Sequence, residues 1–341
     1  MATPPMTPPA VKIAFGIMTA TENPAAVMQL VEAIGRESPI FVHHDYTKQP
    51  DFRLPGADVT MIEKPCNTGW GTWGFVQGVL LLMKTAFERA NCDYFQLLSG
   101  SCLPIRPVHE MAQLLAAQSA PINADMMNLD ENLDVMMSFG FRVFSSENSS
   151  RFRVLRRMRG WYFGPEGTSN QIQHRSLSML RRSADSGGPR PNLAGMLMRA
   201  ARMGIGFSHP FARESIAPYV GSTWFGCRRE AGLRLLARRE DGALEQFART
   251  LHACDEIYLP TALRTLDTDV APSNHYVSRF EGQHPRTVTV DDLPAAYASG
   301  RFFARKFSND PRDPARQRVL QAHQADDFQA EVAVDASPGR A

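Results

Sequence analysis

The sequence predicts an α/β fold: a doubly wound, mostly parallel sheet with helices on its faces. Two observations carry this reading. Short apolar runs alternate with amphipathic segments of helical length from Val11 to Leu98, and the alternation returns after Phe211. In order, Val11–Met18 is an apolar run ending in Thr19-Ala20-Thr21 and reads as a buried first strand. A helix is expected from Pro24 to Arg36, with Val27, Leu30, Val31 and Ile34 at helical spacing. Pro39–Asp45 reads as a second strand with an acid at its end, and Asp58–Ile62 as a short third. Phe75–Ala90 reads as a helix through Val76, Val79, Leu80, Met83 and Phe87. Tyr94–Leu98 is a fourth strand stopped by Ser99-Gly100-Ser101. Ligands of such sheets sit beyond the carboxyl ends of the strands. That places Thr19–Thr21, Asp45, Asn67–Trp73 and Ser99–Cys102 around one mouth. Further on, Val220–Cys227 is strand-like, and Arg229–Arg239 and Glu256–Leu266 read as helices. Pro260 falls early enough in the second of these to be tolerated near its first turn. His275–Phe280 and Thr287–Val290 read as strands, and no internal repeat is visible.

Composition narrows the class. With 43% hydrophobic and 21% charged residues over 341 positions, the chain is globular, which excludes wholesale disorder, collagen and coiled coil. Lys and Arg total 37 against 35 Asp and Glu, so net charge does not point to nucleic acid. Five cysteines without paired spacing argue against a disulfide framework and a cysteine zinc site, and favour a reducing compartment. The proline-rich Met1–Ala10 has no basic or apolar signal region and reads as a flexible leader; 325–341 reads as a flexible tail. No apolar run reaches membrane-spanning length. The body, 11–324, is expected to be one domain with an arginine-rich, partly helical insertion at 151–208. Arg151–Arg202 holds eleven arginines, no lysine and only Glu166 and Asp185 as acids, so it carries +9 in a chain of net +2. Two readings stay open for it: a solvated helix face, or a groove for an anionic ligand.

Several stretches, taken in order, resemble glycosyltransferase family 14, the core-2/I-branching N-acetylglucosaminyltransferases and peptide xylosyltransferases. They are Phe41-Val42-His43-His44-Asp45; Trp70-Gly71-Thr72-Trp73-Gly74; Tyr94–Pro107 with its Leu98-Ser99-Gly100 core; and Gly221-Ser222-Thr223-Trp224-Phe225. Asp255-Glu256, His284-Pro285-Arg286, Asp291-Asp292-Leu293 and Phe303-Ala304-Arg305-Lys306-Phe307 follow. The stretch 126–208 matches poorly, and acceptor specificity would reside there. The resemblance implies a GT-A-type fold and inverting transfer of a sugar, N-acetylglucosamine or xylose, from a UDP-sugar to a hydroxyl of a glycan or other acceptor; that acceptor would be anionic if the arginine-rich stretch forms its groove rather than a solvated face. It also implies no resident metal or other cofactor, with basic side chains taking the metal's place. The family's animal members carry a membrane anchor and disulfides, so the likeness is to bacterial members. The expected location is cytoplasmic, compatible with peripheral contact at the inner membrane.

The chemistry assigns candidate roles. In-line attack on an anomeric carbon needs a base for the hydroxyl proton and positive charge for the departing diphosphate. Glu256 matches the family's base, at a helix start where the dipole favours a carboxylate; an ordinary first-turn acid is the rival reading, with Asp255 as the cap. Arg305 and Lys306 match the diphosphate-binding pair, and Arg286 is a candidate third cation. Where most GT-A enzymes place Asp-x-Asp, this chain has Ser99-Gly100-Ser101, with no carboxylate to ligate a divalent cation. Asp267-Thr268-Asp269 spells that pattern but sits where a surface turn is expected. Asp45 either accepts hydrogen bonds from uracil or ribose or caps a loop. Thr19, Ser99 and Gly100 are candidates for the nucleotide pocket, Trp224 for shaping the sugar site, and Trp70 or Trp73 for a pocket wall. On the acceptor side stand Arg156, Arg157 and Trp161. His43 and His44 alternate across a strand and cannot share a metal, and Cys102 has no histidine at a motif distance. Two rival classes remain: a non-catalytic UDP-sugar- or glycan-binding protein on the same fold, and an anionic-polymer binder acting through the 151–202 arginines.

Overall fold

The computed structural model describes residues 10–163, 189–238, 241–267, 269–281 and 284–325. The expected leader and tail therefore lie, but for Ala10 and Ala325, outside the described residues, as does 164–188 of the arginine-rich insertion.

The chain opens with β1 (Ile13–Thr19), buried throughout. Helix α1 (Pro24–Ile34) starts where the Asn23 side chain accepts the Ala25 N–H at 3.0 Å, with Pro24 placed where a missing N–H costs nothing. After β2 (Ile40–His44) and β3 (Thr60–Met61) comes α2 (Trp73–Arg89). It buries Val76, Val79, Leu82, Met83 and Phe87, each worth about 1.5–3 kcal/mol by removal from water. Next are β4 (Tyr94–Ser99), β5 (Leu103–Pro104), α3 (Val108–Ala117), β6 (Ile122–Asn123) and β7 (Met126–Asn128). The middle is helical: α4 (Leu133–Val143), α5 (Ser150–Phe163), α6 (Pro189–Arg202) and α7 (Pro210–Arg213). Then follow β8 (Tyr219–Gly221), β9 (Gly226–Arg228), α8 (Arg229–Leu236), α9 (Ala243–Ala248) and α10 (Asp255–Leu266). The last part runs β10 (Val270–Ala271), β11 (His275–Val277), β12 (Phe280–Glu281), β13 (His284–Pro285), α11 (Leu293–Ala298), β14 (Phe303–Arg305) and α12 (Pro314–Ala325).

Seven strands form a mixed sheet in the order β10-β6-β9-β4-β1-β2-β3. Strand β1 pairs in parallel with β2 (Phe15 opposite Ile40) and with β4 (Phe15 opposite Gln96). Strand β9 alone runs against its neighbours β4 and β6. The period of two splits β1 cleanly. Ala14 and Met18 join the apolar layer of α2, whereas Ile13, Phe15 and Ile17 join the layer of α1. A smaller sheet, β11-β14-β5, brings the end of β14 to the mouth of the large one, where the Phe307 N–H reaches the Ser101 carbonyl at 2.9 Å.

Four local expectations need correction. The strand expected over His275–Phe280 is two strands, β11 pairing with β14 and β12 pairing with β13 in a separate ladder. The strand expected over Val220–Cys227 is two strands: β8 pairs with β7 in a separate ladder, and β9 enters the main sheet. The break between them frees Ser222–Trp224 to turn toward the strand ends. Thr287–Val290 joins no ladder; Val288 is buried and donates its N–H to the Lys306 carbonyl at 2.8 Å. Pro260 lies inside α10, beyond its first turn.

Candidate functional site

A cavity of about 620 Å³ opens at the carboxyl ends of β1 and β4. Thr19, Ser99 and Ser101 form its strand-end floor, and Arg305 and Lys306 enter from the end of β14. Asp255 and Glu256 enter from the start of α10, Trp224 from the β8–β9 break, and Arg142 from α4. The glycine-tryptophan motif places Trp70 and Gly71 on the same wall. Gly71 has φ +67°, and a Cβ there would stand 2.9 Å from the Ala253 Cα. Its carbonyl accepts the Cys254 N–H at 3.1 Å, so this loop sets the position of the α10 start.

The two carboxylates of α10 sit in opposite environments. Glu256 is part-exposed and takes the Arg142 Nη1 on Oε2 at 2.7 Å. Asp255 is buried; Oδ2 accepts the Thr223 hydroxyl at 2.7 Å, and Oδ1 is enclosed with no hydrogen-bond partner. Burial and the neighbouring Glu256 charge push its carboxyl up to about 6, against the Thr223 hydrogen bond. The expected role of Asp255 as helix cap is thus corrected. Cys254 holds the cap position without a side-chain bond, and the Asp255 carboxyl points to Thr223 instead. Its basicity is raised.

Arg305 is half-buried, with its guanidinium carbon 4.7 Å over the Trp224 ring and its Nε enclosed without a partner. Burial lowers its pKa, opposed by Cys102 and then by the charges of Glu256 and Glu22 across the cavity. Lys306 is exposed at the rim. His275, packed beside Trp224 and Phe303, is held neutral: burial and then the Arg305 charge push it down to about 3. At the floor, His44 Nε2 faces the Gln49 carbonyl at 2.9 Å and must carry the ring proton. Nδ1 therefore accepts the Thr19 hydroxyl at 2.9 Å, so the proton of Thr19 is already committed. Ser99 and Ser101 share a hydrogen bond at 2.8 Å.

Of the residues expected at this site, Glu256, Thr19, Ser99, Trp224, Arg305, Lys306 and Arg156 line the cavity. Five residues are corrected, and the alternative of Trp70 or Trp73 is divided. Asp45 does not line it: the Thr47 and Thr68 N–H and hydroxyl groups, at 2.6–3.0 Å, occupy both its oxygens. Those bonds outweigh burial and hold its pKa low, and they tie the end of β2 to the Thr68–Gly71 loop. Gly100 is not a lining residue either. A Cβ there would lie 2.8 Å from the Thr19 Cγ2, so its bare backbone lets the turn close on β1. Arg286 is taken by Asp292, which accepts Nη2 on both oxygens at 2.7 and 2.9 Å, and it is not the third cation of this cavity. Arg157 and Trp161 turn away, with the guanidinium 5.3 Å from the indole centroid. Trp70 lines the cavity, whereas Trp73 is buried against Tyr258.

Sequence reasoning missed Arg142, Glu22 and Thr223. Nothing in the local pattern around Arg142 marks it. Glu22, whose carboxylate accepts the Ala20 N–H at 2.7 Å, directly follows the Thr19–Thr21 strand end and was open to notice. Cys102 is buried and pushed up to about 11 by that burial, so it is no nucleophile. Asp267 accepts the Asp269 N–H at 2.9 Å; neither lines the cavity, and Thr268 lies outside the described residues. Among the described residues no group of three or more His, Cys, Asp or Glu is placed to hold a metal, and no helix is long and apolar enough to cross a membrane. Comparison with protein-family models gives no match, and comparison with curated proteins gives none.

Proposed function

We propose that this chain is an inverting, metal-independent glycosyltransferase on a GT-A-type fold, moving a sugar from a UDP-sugar to a hydroxyl acceptor. The observation that carries the reading is convergence: Glu256 and the pair Arg305 and Lys306, far apart in sequence, line one cavity at the strand ends. A mixed sheet with one reversed strand supports the fold assignment. The acceptor oxygen attacks the anomeric carbon on the face opposite the diphosphate. The new C–O bond forms as the bond to the β-phosphate oxygen breaks. That oxygen leaves with the electron pair, facing Arg305 and Lys306, and the hydroxyl proton passes to Glu256. Arg142 orients the base by holding Oε2, which leaves Oε1 for the acceptor. Trp224, stacked on Arg305, fixes that cation and walls the sugar subsite. Ser99-Gly100-Ser101, in place of an acidic pair, supports the metal-independent reading.

The reading is tested by thermal melts with UDP, UDP-N-acetylglucosamine and UDP-xylose, with EDTA and with Mn²⁺. Stabilisation by UDP in EDTA is expected. Stabilisation that requires Mn²⁺, or none with any uridine nucleotide, contradicts it.

A further inference from the structure

Helix α6 is amphipathic in the wrong sense. Its inward face is Ala194, Met198 and Ala201, all buried. Its outward face, where solvent normally meets polar side chains, is Leu193, Met196 and Leu197 at 51%, 68% and 41% exposure. The stripe continues into the following turn with Met203 at 63% and Ile205 at 62%. Five of the eleven large apolar side chains exposed among the described residues thus fall between Leu193 and Ile205. Helix α5, which packs on α6, exposes two more, Val154 and Trp161.

Charge accompanies this surface. Helices α5 and α6 together hold eight arginines and no acid. Arg151, Arg153, Arg156, Arg157 and Arg199 are exposed. Two contacts interleave cations with apolar groups. Arg151 lies 3.9 Å from the Phe207 centroid and donates to the Gly206 carbonyl at 2.7 Å, beside Ile205, and Arg157 covers Trp161.

We propose that this arginine-flanked apolar face of α5, α6 and the Met203–Phe207 turn docks on an anionic lipid bilayer. The methionine, leucine and isoleucine side chains would enter the acyl boundary while the arginines meet phosphate headgroups. Charge selects this occupant. A symmetric contact with a second copy would set each arginine group against its own copy, and like charges oppose that. A nucleic acid would satisfy the arginines but offer nothing to the protruding apolar side chains. The surface is distinct from the donor cavity, so the proposal does not depend on the reading of the reaction. Helix α5 nevertheless borders both, contributing Phe152 and Arg156 to the cavity.

The test is co-sedimentation of the full chain with vesicles of phosphatidylcholine alone and with added phosphatidylglycerol, at low and high salt. Binding is expected only to the anionic vesicles and to weaken with salt. Arg153→Gln with Arg157→Gln should weaken it by about 25-fold, at roughly fivefold per arginine near a charged surface. Met196→Glu with Ile205→Glu should weaken it by about tenfold or more, with the melting temperature unchanged because both side chains are exposed. Three results overturn the proposal: no binding to anionic vesicles by the folded wild type, apolar variants that bind as wild type does, or, without vesicle binding, a dimer that Met196→Glu dissociates.

Discussion

Asp255→Asn changes one buried atom and should change how stability depends on pH. The folded carboxyl titrates near 6 and the unfolded one near the ordinary 3.8. Between those values the native state holds a proton that the unfolded state has released. Stability therefore falls as pH rises through this window and levels off above the folded value. About two units correspond to roughly 3 kcal/mol at neutral pH, an upper figure for a group that can relax. For a chain of this length that is about 4 °C in Tm. Asparagine keeps an acceptor for Thr223 and cannot ionise, but its amide N–H₂ meets the enclosed space at Oδ1, at a pH-independent cost of about 1–3 kcal/mol. The diagnostic is thus the slope, not the offset. In melting curves from pH 4 to pH 8 the wild type should lead Asp255→Asn by that constant cost at acid pH, and the gap should close or reverse toward neutral pH, because only the wild type loses the carboxyl's contribution between about 4 and 6. Glu256→Gln removes the second cause of the shift and should shrink the wild-type slope. Parallel curves for wild type and Asp255→Asn would refute the buried-carboxyl argument.

Three other perturbations follow from the same geometry. Arg142→Met removes the partner of Glu256 Oε2, so kcat should fall by roughly tenfold or more while UDP affinity holds; equal loss of both would show that Arg142 only maintains the fold. Lys306→Ala should weaken UDP binding by roughly one to two orders of magnitude, less than the full Coulomb value because the side chain is exposed. Calorimetry reads it directly, and unchanged affinity would make Lys306 a bystander. Gly71→Ala forces a side chain into φ +67° against Ala253, costing about 1–2 kcal/mol from the backbone alone, and should lower both Tm and kcat; a melt identical to wild type would contradict the coupling of this loop to α10.

The strand–helix alternation was legible because periods of 2 and 3.6 are local properties. Strand β1 and helices α1 and α2 fall within a few residues of their expected bounds. The reversed strand β9 was not, since its direction depends on pairing with β4 and β6. The diversion of Arg286 was within reach: Thr289-x-x-Asp292 is a capping-box spacing, and the Asp292 it fixes lies six residues from Arg286. Asp45 had a local sign too, Thr47 two residues on, in the pattern of an Asx turn. The Arg142–Glu256 pair and the burial of Asp255 have no such signature. They arise where α4, α10 and the β8–β9 break meet, and only tertiary packing brings these together.

The most direct measurement is UDP release from a UDP-sugar by wild type and by Glu256→Gln, in EDTA, with UDP affinity measured on the same preparations. A positioned base contributes about 10² to 10⁴ in rate, so Glu256→Gln should lose at least about a hundredfold in kcat and keep its UDP affinity. Because Arg142 stays buried beside a neutral amide, a drop of about 1–2 kcal/mol in stability is expected as well, and it is read separately by melting. Wild-type turnover that Glu256→Gln leaves intact would contradict the assignment of the base. A wild type that binds UDP yet releases none from any donor would contradict transfer itself and leave a binding protein.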